Sequence, residues 1–183
     1  MNQIQEFIEK YLGVYHEEVK KVTHTPNGKY TSQAKWGKLK YKESSITMSI
    51  DEVSGADPVT EPFRMVMKLD KPSSIELLIY PHSYLGRRFR ERFLNKNSPS
   101  LQTIHAQYRF TGNKELITQL CSMDTFRNLI FNEYICINIS QQKLKVVTIT
   151  LARGYRDLEH LETLASILKI VNNLVSKTEE GNR

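Results

Sequence analysis

Apolar side chains recur every three or four positions at the start of the chain, where Ile4, Phe7, Ile8, Tyr11, Leu12, Tyr15, Val19 and Val22 fall on one stripe. That spacing predicts an amphipathic helix over residues 2 to 22, weakened only slightly by Gly13. "HTPNGKY" then predicts a loop, because proline fixes φ and glycine tolerates positive φ. Beyond it the period falls to two. Ile46, Met48 and Ile50 alternate with Thr47, Ser49 and Asp51, and Phe63, Met65, Met67 and Leu69 alternate with Arg64, Val66, Lys68 and Asp70. Both segments predict half-buried strands. "SGADPVTEP" has the composition of an exposed connection, and "LDKPSS" is short enough to join residues 63 to 70 to a further strand at 74 to 80 as a hairpin.

"LNKNSPS" separates this meander from a second half, in which Ile104, Ala106, Tyr108 and Phe110 alternate with His105, Gln107 and Arg109 and predict another strand. "TGN" ends it, and Asn113 is placed to cap a helix carrying Leu116, Ile117, Leu120 and Cys121. That helix breaks near "SMD", with Asp124 as a second cap, and continues through Phe126, Leu129 and Ile130. Ile135, Ile137 and Ile139 mark one strand and "LKVVTITL" the next, where the adjacent Val146 and Val147 call for a bulge or for burial on both faces. A last helix starts at Asp157 and carries a wide apolar stripe from Leu158 through Leu161, Leu164, Leu168 and Val171 to Val175, which must cover a sheet. The expectation is an α+β fold: an antiparallel β-meander followed by a β-α-β-β-α unit, with N-terminal and C-terminal amphipathic helices packed on the sheet. The chain reads as one domain over residues 1–183, with 1–96 and 101–178 as its subdomains if the two halves form separate sheets.

Composition narrows the class. A chain of 183 residues, 39% hydrophobic and 25% charged, can bury one full core and is neither fibrous nor disordered. Its apolar runs are too short to span a bilayer, and residues 1 to 22 carry acids and lysines where a signal peptide would be apolar, so a cytoplasmic protein without a membrane span is expected. Cys121 and Cys136 lack CxxC spacing and read as two reduced, buried thiols. The net charge of +6 is concentrated in two segments. Residues 20 to 42 hold seven lysines and no acid, and residues 84 to 96 hold four arginines and Lys96 against Glu91 alone. The remainder is mildly acidic. Such asymmetry raises the local potential toward nucleic acid, acidic protein or anionic lipid.

Catalytic patterns are absent from the sequence. His16 and His24 are eight residues apart, not the four that place two zinc ligands on one helical face, and His160 beside Asp157, Glu159 and Glu162 reads as an acidic helix start. His82 follows a strand without a partner in sequence, and His105 shares a polar strand face with Gln107 and Arg109. There is no GxSxG elbow, and "SGAD", "TGNK" and "RGYR" each hold one glycine where a phosphate-cradling loop needs several. No cofactor and no metal is called for.

The basic segments remain. In "YLGRRFRERF" a helix would bury Leu85, Phe89 and Phe93 and spread Arg87, Arg88, Arg90 and Arg92 around its other faces, where forked guanidinium donors suit phosphate. In "WGKLKYK" strand alternation puts Trp36, Lys38, Lys40 and Lys42 on one face and Leu39 and Tyr41 on the other. An aromatic ring beside a lysine row meets the needs of single-stranded nucleic acid, and an edge strand guarded by lysines has the same pattern. Two readings follow. The first is a non-enzymatic binding or interaction module for a protein or small-ligand partner; the second is a polyanion-binding protein for single-stranded RNA or DNA, with these eight residues as its surface. Contiguous basic side chains in space favour the second, and an exposed apolar patch favours the first.

Overall fold

Period-two alternation over long segments can be satisfied only by a sheet that buries one face, and such a sheet organises this molecule. The computed structural model describes residues 2–26, 28–55, 63–70, 73–82, 100–131, 133–139, 146–151 and 154–181. In chain order these form α1 (Gln3–Lys10), β1 (Val14–Glu17), β2 (Lys21–Thr25), β3 (Gly28–Tyr41), β4 (Ser44–Gly55), β5 (Phe63–Lys68), β6 (Leu77–Pro81), α2 (Leu101–Gln107), β7 (Tyr108–Gly112), α3 (Lys114–Ser122), α4 (Asp124–Ile130), β8 (Ile135–Ile139), β9 (Val146–Leu151) and α5 (Leu158–Gly181). The described strands all join one sheet in the order β1-β3-β4-β5-β9-β8-β6-β7, with β2 also paired to β3. Every pairing is antiparallel. The architecture is α+β, with helices at both chain ends.

One face of the sheet carries the core. Leu39, Ile46, Met48, Phe63, Met65, Met67, Ile79, Ile137, Val147 and Ile149 are buried there against Ile4, Phe7 and Ile8 of α1, Leu116 and Leu120 of α3, Phe126 of α4 and the stripe of α5. Each such side chain contributes roughly 1.5–3 kcal/mol on burial. Polar contacts set the position of α5 along the sheet. Glu162 accepts from Lys10 Nζ at 2.7 Å and from the Tyr11 hydroxyl at 2.7 Å, Ser166 meets the Tyr41 hydroxyl at 3.0 Å, and Glu179 accepts from Ser73 Oγ at 2.7 Å. The fully buried Asn172 bridges Ser44 Oγ and the Asp70 amide.

Four local expectations are corrected. The N-terminal helix ends at Lys10, and the chain turns at Leu12, whose φ is +52°, and becomes β1 and β2. Val19 is 86% exposed, so the helical spacing of residues 14 to 22 was a coincidence; β-branched Val14, Val22 and Thr23 serve two short strands that, among the described residues, pair with β3 alone. The stretch at 104 to 110 begins as α2, capped by Ser100 Oγ accepting from the Thr103 amide, and becomes a strand only at Tyr108. Residues 63 to 80 form no hairpin, because β9 and β8 lie between β5 and β6. The helix does break at Met123, but Asp124 is the first residue of α4 and pairs with Arg127 instead of capping it.

Other details match. Asn113 Oδ1 accepts from the Leu116 amide and Asp157 Oδ1 from the His160 amide. The ladder of β9 runs without a bulge on both sides, and Thr148 is buried on the face opposite Val147. The β3–β4 turn is two residues, Lys42 and Glu43, with φ of +44° and +70°, a conformation whose twist matches the flanking strands. The segment at 84 to 93 lies outside the described residues.

Gly37 lets α1 approach the sheet. A Cβ there would stand 2.1 Å from Ile8 Cδ1 and 2.9 Å from the Val14 carbonyl oxygen. Gly37→Ala is therefore expected to cost about 1–3 kcal/mol by overpacking, measured as the shift in urea denaturation. Combining it with Ile8→Val, which removes the clashing methyl, should lose less than the sum of the two single losses.

Candidate functional site

Because all described helices share one core on one face of the sheet, the opposite face has none of them over it. Its composition follows from strand register. His16 pairs with Trp36, Trp36 with Ser49, Ser49 with Arg64, and Arg64 with Thr150, which makes a row of side chains crossing five strands. Beside it, Lys38 and Lys40 continue β3 and Lys68 continues β5, while Arg109 stands on the same face at the far end of the sheet, on β7. Lys38, Lys40, Arg64, Lys68 and Arg109 are all exposed, and among the described residues none of the five makes an ion pair. Asp51 is the only acid at a ladder position of this face among the described residues.

The sequence candidates divide. Trp36, Lys38 and Lys40 lie together on the open face, with Trp36 42% exposed. Lys42 sits in the turn, and its Nζ lies 5.2 Å over the ring of Tyr41, toward the helical side. Arg87, Arg88, Arg90 and Arg92 lie outside the described residues. Lys35 points to the helical side and pairs with Glu52 at 2.6 Å. His16, unassigned by sequence, stacks on Trp36 with ring centroids 4.1 Å apart and planes at 23°. His105 meets the edge of Phe110, and the His82 amide donates to the Gln107 carbonyl at 2.8 Å. Arg64, Lys68 and Arg109 were visible only as polar positions of separate strands. What joins them to the lysines is register.

A second polar cluster lies at the start of α5, around an open-mouthed cavity of about 360 Å³ lined by Asn128, Glu133, Arg156, His160 and Thr163 among others. His160 is 4% exposed; its Nδ1 accepts the Arg156 amide at 3.0 Å, so the proton of the neutral ring sits on Nε2. Nε2 lies 3.1 Å from Glu133 Oε2, off the axis of a linear hydrogen bond, while Arg156 donates to Glu133 Oε1 at 2.5 Å. Both ring nitrogens and both carboxylate oxygens face groups of the protein itself. The cluster therefore locks the first turn of α5 to the segment before β8, and the acidic helix start read in sequence gains a carboxylate from a distant element. Burial pushes the Glu133 pKa up, but the contacts of His160 and Arg156 outweigh it and hold the carboxyl below its ordinary value.

No family model, curated protein or solved structure matches the chain. Its chemistry has to be read from its own side chains. Among the described residues no three His, Cys, Asp or Glu side chains gather as metal ligands, and no helix is long and apolar enough to cross a membrane. Burial raises the pKa of the Cys121 thiol, partly offset by Arg127, and that of Cys136, which is half-buried rather than buried. Neither is an activated nucleophile.

Glu133 makes a testable contribution to stability. A carboxyl whose folded-state pKa lies below its unfolded value stabilises fully above the unfolded pKa, and that stability is lost as pH falls through the folded one. Glu133→Gln is expected to cost about 1–3 kcal/mol at neutral pH. The gap to wild type should narrow below about pH 4, where the native carboxyl also protonates, as followed by urea denaturation across pH.

Proposed function

We propose that the protein is a non-enzymatic binding module that holds nucleic acid against the open face of its sheet. One observation carries this reading: five cations from three strands, Lys38 and Lys40 of β3, Arg64 and Lys68 of β5 and, farther along the sheet, Arg109 of β7, lie on one face, where the described residues offer them no ion-pair partner and a single acid at a ladder position. The buried Lys35, by contrast, is neutralised by Glu52. Left unpaired, the five cations raise the potential over a surface that several phosphates of one chain can span, and binding then gains from counterion release. The net charge of +6 adds long-range attraction. Within this reading the molecule works in the cytoplasm, where its two free thiols stay reduced.

A second reading, docking of a protein partner, is favoured by the β1–β2 edge. Val14, Val19 and Val22 are exposed there, on or beside two strands that, among the described residues, pair only on their β3 side. Such a partner would add a strand or cover the apolar side chains, with little dependence on salt.

The two readings separate in a salt titration of a labelled mixed-sequence single-stranded oligonucleotide, read by fluorescence anisotropy. Five phosphate contacts predict that log K falls with log salt at a slope of about −3.5, at roughly 0.7 per contact for single strands. Replacing Lys38 and Lys40 together by Ser should reduce the slope by about 1.4 and weaken binding uniformly across sequences. Lys114→Ser, on α3 across the sheet, should change neither. Binding indifferent to salt and to the double substitution would remove the nucleic-acid reading and leave the edge.

A further inference from the structure

The row that crosses the open face sets two flat side chains on either side of a small one. Trp36 stands on β3 and Arg64 on β5, and the residue between them on β4 is Ser49. Neighbouring strands are about 4.8 Å apart, so side chains rising from the first and third of three strands start roughly 10 Å apart. A planar ring packed between two flat groups needs about 3.5 Å on each side, roughly 7 Å in all. The floor is a hydroxymethyl group, half-buried and without a hydrogen bond among the described residues. That strand spacing leaves room for one planar ring between the two side chains, with the Ser49 hydroxyl at its edge.

Both walls are suited to such a ring. His16, on β1, covers one face of the indole at 4.1 Å and holds it nearly parallel, so the other face of Trp36 turns away from β1, toward β4 and β5. Trp36 keeps 42% of its surface exposed. Opposite it, the Arg64 guanidinium has no ion pair among the described residues and is free to lie flat over a ring, adding charge to the stack. Lys38 and Lys40 follow Trp36 along β3 at steps of about 7 Å, where phosphates flanking an inserted base would pass.

We infer that this gap is a slot for an unpaired nucleobase, held between the Trp36 indole and the Arg64 guanidinium above Ser49, and that single-stranded nucleic acid is the form the protein binds. The inference rests on reading the open face as a nucleic-acid surface and adds what that reading lacks, a contact to the base. A duplex cannot supply it, because its bases are already paired and stacked on one another.

The test compares three probes with equal numbers of phosphates: a single-stranded oligodeoxythymidylate, an abasic strand and a duplex. The fluorescence of Trp36, the only tryptophan, is read with anisotropy. The thymidylate should quench Trp36 and bind about 5- to 150-fold tighter than the abasic strand, the range that stacking of one base provides. Arg64→Lys keeps the charge and loses the plane, Trp36→Ala removes the other wall, and Ser49→Leu fills the floor. Each should bring the thymidylate down to the abasic level and leave abasic binding unchanged, with thermal unfolding confirming the fold. An oligouridylate run in parallel supports the slot if it shows the same dependence on bases. Equal, salt-dependent binding of thymidylate and abasic strand would overturn the slot while leaving the open-face reading in place. No binding of any probe at low salt would overturn both.

Discussion

The structure depends on one constraint: the apolar stripe of α5 must be removed from water, and only one face of one sheet is available to cover it. Leu161, Leu164, Ala165, Ile167, Leu168 and Val171 are all fully buried, and the strand residues they meet recur at every second position. Period two assigns the intervening residues to the other side, which is cationic at β3 and β5 and carries half-buried Val66, Leu78 and Cys136 toward β6. The open face follows from the core. It is not an independent feature of the surface.

Charge on the two faces is treated differently. On the helical side several ionic groups are paired or hydrogen-bonded: Lys35 with Glu52, Lys10 and Tyr11 with Glu162, Lys169 near Asp70 and Ser44, and His160 and Arg156 with Glu133. These contacts hold helices to strands, where leaving a partly buried charge without a partner is costly. On the open face Lys38, Lys40, Arg64, Lys68 and Arg109 remain solvated, which costs little and keeps them available to an outside anion. The stacked His16 and Trp36 differ from them, since ring stacking, unlike charge, is not screened by salt.

How far the site could be read in advance depends on the kind of information each residue carries. Trp36, Lys38 and Lys40 alternate with Leu39 along one strand, so their common face is a local property and was legible. Lys42 has the same spacing but falls in a two-residue turn that reverses the chain, which alternation does not anticipate. Arg64 and Lys68 alternate equally well with Met65 and Met67, yet nothing along the chain says which face of which neighbour they join; the pairing of Ser49 with Arg64 decides it. Residues 14 to 22 misled for a related reason. Tyr15, Val19 and Val22 match a helical period, but the turn at Leu12 and the close approach of Gly13 to the Lys38 carbonyl oxygen, 2.5 Å from where a Cβ would stand, send them along β3.

The sequence by itself determined the α+β class, the long C-terminal helix with its Asp157 cap, the alternation of the central strands and the two-sided character of β3. Each of these is set by residues within a few positions of one another, through dihedral preference, capping and burial period. Tertiary structure alone decided that β9 and β8 insert between β5 and β6, that a carboxylate from before β8 completes the start of α5, and that Trp36, Ser49 and Arg64 stand in one row. Those outcomes depend on register and strand order, which are chosen by the packing of the whole sheet against α5. Neighbouring residues in sequence exert almost no energetic preference over them.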